Sequence, residues 1–70
     1  MIDSKEIEPF LDEYVAVGVP HDIIPNKLFF YFGKLKYVDS EEVQMELKNG
    51  FKIIPIENIR DIHKARGGQR

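Results

Sequence analysis

Leu28-Phe29-Phe30-Tyr31-Phe32-Gly33-Lys34-Leu35-Lys36-Tyr37-Val38 is the stretch whose reading decides the fold. Five consecutive large apolar side chains are followed by a glycine, and then Leu35 and Tyr37 alternate with Lys34 and Lys36. A continuous apolar run beside turn residues reads as a strand covered on both faces. The alternation after it reads as a strand with one wet face. Glycine between the two marks a bend, a bulge or a close backbone approach. Side chains along a strand point to opposite faces in turn, so the run presents apolar groups on both. One face can line a core. The other needs the helix or another subunit as cover, and this is the main argument for a homo-oligomer.

Downstream, Val43, Met45 and Leu47 alternate with Gln44, Glu46 and Lys48, a half-buried strand. Asn49-Gly50 then reads as a type I′ hairpin turn, which needs positive φ at both central positions. A strand over 51–56 follows, ended or held at a sheet edge by Pro55, which has no N–H for a ladder. A last short strand spans 59–63, with Ile59 and Ile62 as its apolar residues. Upstream, Ile7, Phe10, Leu11, Tyr14 and Val17 recur at helical spacing. They predict a helix over about 4–17, capped at Asp3 or Ser4, with Gly18 as its C-terminal cap; Pro9 fits in the first turn, or as the first residue of a helix that starts there. His21 to Ile24 reads as a short strand, and Pro25-Asn26-Lys27 as a turn. The plan is mostly β: an N-terminal helix, then a strongly bent five-stranded antiparallel barrel. Residues 1–66 form one domain, with its strands over about 21–63, and 67–70 read as a flexible tail.

The 70 residues allow one domain with a small core. Chains of this size usually add disulfides, a metal or partner subunits. Cysteine is absent, which removes disulfides and fits a reducing cytoplasm. The two histidines, His21 and His63, lack metal-ligand spacing. No stretch has the length of a membrane span, and the acidic N-terminus lacks the pattern of a signal peptide. The net charge is −2, unevenly placed: Asp3, Glu6, Glu8, Asp12, Glu13 and Asp22 dominate the first part, and Lys52, Arg60, Lys64, Arg66 and Arg70 the last. A nucleic-acid binder usually carries a clear basic excess. Here only the tail is basic.

At this point the order of elements resembles the Sm/LSm family, archaeal members included. Gly33, Leu35, Asp39 and the alternating Val43, Met45 and Leu47 stand at places that match that family's first motif. The stretch from Ile53 to Ile62 is similar in layout to its second. The resemblance implies an SH3/Sm-type barrel, a non-enzymatic role, and a ring in which the fourth and fifth strands of neighbouring subunits pair. It also implies an RNA site, of which Asp39 survives. Val43 stands where the family has a base-holding asparagine, Glu42 where methionine is common, and Pro55 and Ile56 where an Arg-Gly pair contacts RNA. Glu41 and Glu42 add negative charge at the same loop. The resemblance therefore implies the barrel and the ring better than the RNA site.

The candidate residues follow. Asp39, Lys64 and Arg66 are the candidates for RNA contact, the two bases through phosphate. Phe30, Phe32, Ile54, Ile56 and Ile59 are the candidates for an oligomer interface. Asp39, Glu41 and Glu42 form the one tight carboxylate cluster, read as a solvated barrel loop. No catalytic nucleophile with base and orienter can be assembled, and neither a metal nor a cofactor nor a small-molecule substrate is expected. The leading expectation is an Sm-like oligomeric barrel that binds or scaffolds near RNA; the alternative is a protein–protein assembly module with no RNA binding.

Overall fold

The chain begins with a helix one turn long. Asp3 caps it, its Oδ1 accepting from the backbone N–H of Lys5 and of Glu6, while Glu6 reaches back to the Asp3 N–H. This reciprocal arrangement satisfies donors that a helix start leaves open. The helix α1 spans Ser4–Ile7 and runs into a 3₁₀ turn, Glu8–Phe10, with Pro9 at its start. The computed structural model describes residues 2–66, so the tail expected over 67–70 lies outside the described residues.

The helix does not continue to residue 17. Asp12 takes a positive φ of 68° and its N–H donates to the Leu35 carbonyl, while Glu13 accepts from the Leu35 N–H. From there the chain is a strand, β1, Tyr14–Pro20. Tyr14 and Val17 fit a helical stripe by spacing, but 14–19 is rich in β-branched side chains, which suit a pleated sheet better than a helix. Gly18 is accordingly a strand residue rather than a helix cap. The strand expected over 21–24 is instead a loop, which turns at Pro25 and Asn26, where Asn26 has φ 62°.

The remaining strands are β2 (Leu28–Val38), β3 (Glu42–Leu47), β4 (Gly50–Pro55) and β5 (Asp61–Lys64). They form one antiparallel sheet in the order β4-β3-β2-β1-β5. Pro55 ends β4, which lies at an edge, as its missing N–H requires. The β3–β4 hairpin pairs Leu47 with Gly50, so Lys48 and Asn49 form the loop, and the positive φ falls on Gly50 alone, at 147°. A second 3₁₀ turn, Ile56–Asn58, carries the chain from β4 to β5. No ladder among the described residues joins β4 to β5, so the sheet is open between these edges.

β2 is shared between two ladders. Residues 28–34 pair with β1, and Lys34 to Val38 pair with β3, with a register irregularity between Leu35 and Tyr37. Val15, Val17, Leu35, Val43, Met45 and Ile54 line the inner face, and Ile7, Ile56 and Ile59 close over them. All are buried in one cluster, each apolar side chain contributing about 1.5–3 kcal/mol.

Gly33 sits where the two ladders meet. Its backbone has no left-handed conformation to explain a glycine; the reason is space. A Cβ there would press on the Glu46 carbonyl oxygen and lie 2.9 Å from Leu47 Cδ2. At Gly18 a Cβ would meet the Phe30 ring at 2.8 Å, and that ring is only half-buried and can move. Gly33→Ala is therefore expected to lose about 1–3 kcal/mol, and Gly18→Ala less, in urea denaturation. An unchanged midpoint for Gly33→Ala would refute the close-approach role.

Candidate interaction surface

Inner and outer faces follow from register. Val17 pairs with Tyr31 and Val15 with Gly33, so Phe29 and Tyr31 lean toward the core side. Leu28, Phe30 and Phe32 then point outward, as the alternation requires. Phe30 is half-covered, by β1 at Gly18 and by the His63 ring at 5.9 Å. Phe32 is 53% exposed. On β4, Phe51 pairs with Glu46 and Ile53 with Gln44, on the same outer face, and these two are 69% and 55% exposed. The outer face thus carries apolar groups on β2 and on the edge strand β4.

Of the five residues expected at a subunit interface, Phe30 and Phe32 lie on the outer face. Ile54, Ile56 and Ile59 do not: they are buried in the chain's own core. The single glycine-separated strand does not need them outside, because Ile54 faces Val43 across the β3–β4 ladder and the 3₁₀ turn folds Ile56 and Ile59 inward. Phe51 and Ile53 take their place on the surface. The signal that could have found them is β4's own alternation, with Ile54 as the inward residue.

Asp39 anchors the turn between β2 and β3. Its Oδ1 accepts from the N–H of Glu41 at 2.8 Å and of Glu42 at 2.9 Å, and its Oδ2 accepts from the Tyr37 hydroxyl at 2.9 Å. The Glu41 carbonyl then accepts from the Ile56 N–H, which ties the end of β4 to this turn. The two amides, and after them the Tyr37 hydroxyl, hold the Asp39 carboxyl below its ordinary range. The same hydroxyl bond to Asp39 holds the Tyr37 hydroxyl above its ordinary range. Both oxygens of Asp39 are engaged within the loop, so its chemistry here is that of a turn anchor.

Beside this turn lies a cavity of about 590 Å³ whose walls include Asp3, Glu41 and Glu57, with Ile2 and Ile56. Three carboxylates and no cationic side chain line it. Lys64 and Arg66 are elsewhere. Lys64 pairs through Val15 with the Gly33 row, two strands across from β2 and six residues along it from Asp39. Its Nζ lies 3.7 Å from Glu13 Oε1. Arg66 is exposed just past β5. The fold therefore does not gather Asp39, Lys64 and Arg66 into one site.

Among the described residues there is no cluster of three or more His, Cys, Asp or Glu that could hold a metal. No described helix is long and apolar enough to cross a membrane. Comparison with protein-family models, with curated proteins and with solved structures gives no match.

The Asp39 turn has a pH signature. A carboxyl held below its ordinary range stabilises the fold above that range and loses the contribution as pH falls through the lowered value. Asp39→Ala is expected to lower Tm at neutral pH, with the gap to the unmodified protein closing below about pH 4. Tyr37, held high, behaves oppositely: its contribution is present below about pH 10 and is lost as pH rises further, so Tyr37→Phe should converge with the unmodified protein there. Thermal melts across pH check both, and a gap that stays constant would contradict the anchor.

Proposed function

We propose that the chain is a non-enzymatic protein–protein assembly module: a small SH3/Sm-like barrel, left open between β4 and β5, that forms a homo-oligomer. The observation that carries this reading is the pairing of free edges with exposed apolar groups. β4 and β5 each have one partner strand, and β4 bears Phe51 and Ile53 with more than half of their surface exposed. Natural proteins cover or blunt such edges, because unpaired N–H and C=O groups template further pairing. An exposed apolar patch beside a free edge marks a contact surface.

The barrel reading is supported by the strand order and by the short connection between the edge strands. Residues 56–60 alone link β4 to β5, and three of them are spent in a 3₁₀ turn that rises only about 2 Å per residue. A flat five-stranded sheet would place its edges about 19 Å apart. Edges joined so briefly favour a curled sheet, and β4 of one copy meeting β5 of the next would continue it head to tail into a ring.

The second reading, association with RNA, draws on Lys64, Arg66 and the aromatic groups of β2, which could contact phosphate and stack on bases. The acidic walls beside Asp39 oppose it at the position where the family resemblance would place the base. Assembly without RNA is therefore preferred.

Light scattering should give an oligomeric mass at micromolar concentration, unchanged by nuclease treatment, and Ile53→Lys should lower it. Anisotropy with short U-rich and A-rich RNA should show no binding at low salt. A monomeric mass would overturn the assembly reading; RNA binding that weakens steeply with salt would favour the second one.

A further inference from the structure

The first half of β2 has a free edge of its own. Residues 28–33 pair with β1 on one side, while the β2–β3 ladder begins only at Lys34 with Glu46. The β3–β4 hairpin turns back at Leu47 and Gly50, so β2 runs on past its tip. Between this stretch and the tip is a cleft of about 330 Å³, with Phe30 and Phe32 on one wall and Leu47 and Phe51 on the other.

We propose that this stretch of β2 is a two-fold seam between two copies of the chain, residues 28–32 of one pairing antiparallel with the same residues of the other. The seam rests on the self-association proposed above and adds to it a contact separate from the β4 and β5 edges. Two observations carry it.

Leu28-Phe29-Phe30-Tyr31-Phe32 contains no charge, no glycine and no proline, so an antiparallel copy sets no like charges opposite each other. Such segments are the ones that pair with themselves when an edge is open. A two-fold axis normal to the sheet keeps inward and outward side chains on matching faces only when it passes through a residue. Through Phe30 it sets Phe29 opposite Tyr31; through Phe29 it sets Leu28 opposite Phe30. Through Phe30 every pair over 28–32 is aromatic or aliphatic, whereas through Phe29 only residues 28–30 pair among themselves and Tyr31 faces Lys27; cross-strand aromatic pairs stabilise either antiparallel contact.

The area is also sufficient. Phe29, Phe32 and Phe51 are 47%, 53% and 69% exposed. At roughly 200 Å² for an aromatic side chain, they offer about 340 Å² per copy. With Leu28 and the strand backbone, two copies would bury on the order of 1,000 Å², the threshold of a specific interface.

The natural chain has no cysteine, so engineered thiols report on the seam without background. Phe30→Cys should form a disulfide-linked dimer under mild oxidation if the axis passes through residue 30. If it passes through residue 29, Phe30→Cys should link instead to Leu28→Cys in a mixture of the two. Cysteine at Lys36, in the part of β2 already paired with β3, should not link. Phe32→Lys, at an exposed position that leaves the core untouched, should reduce the dimer fraction at least tenfold while circular dichroism stays that of the folded protein. An oligomer whose cysteines at 28 and 30 link in neither test would overturn the seam and leave the β4 and β5 contacts standing. A monomeric mass for the unmodified protein would sink both.

Discussion

The fold turns on the place where β2 changes neighbours. Next to Gly33, at Lys34, the strand passes from β1 to β3, and at Gly33 the Glu46 carbonyl comes so close that no side chain fits between them. That contact lets one strand serve two ladders. Its later half sets Leu35 against Met45 and Val38 against Val43, and so builds the inner face. Its earlier half carries the aromatic residues past the hairpin, with β1 as sole ladder neighbour. The core and the exposed surface are two outcomes of one crowded crossing.

Polar groups are used mainly to hold turns. Asp3 caps the entry helix, Asp39 gathers two amides and a phenol at the β2–β3 turn, and His21 Nδ1 accepts from the N–H of Ile23 and of Ile24. The Arg60 guanidinium donates to the Glu57 carbonyl beside the second 3₁₀ turn. No buried side-chain polar atom among the described residues lacks a partner. These polar groups are thus spent on backbone geometry.

Much of the sheet was legible because its signals are local. Alternation in β3, the glycine after it and Pro55 each act within a few residues, and the hairpin and the end of β4 followed from them. The entry segment misled because Tyr14 and Val17 fit a helical stripe while β-branched neighbours argued for a strand. Periodicity alone cannot separate these in a run buried on both faces, and Val15, Ala16, Val17 and Gly18 are all buried. Tertiary pairing decided it. The candidate site was less readable. Asp39 was found, but its role depends on the Tyr37 hydroxyl and two amides that only the folded turn brings together. The inward placement of Ile56 and Ile59 depends on how the 3₁₀ turn folds back, which no spacing encodes.

The pairing of Val15 with Lys64 has a consequence for how the molecule comes into being. A central strand made early must wait for the last strand before its second side is satisfied. During synthesis the β1–β2–β3–β4 meander can form as each hairpin emerges, yet β1 stays half-clothed until β5 leaves the ribosome. Contacts that distant in the chain close slowly, and an open apolar strand is vulnerable in the interval. The final few residues of the sheet therefore act as a latch, closing the side of β1 that the earlier strands leave open.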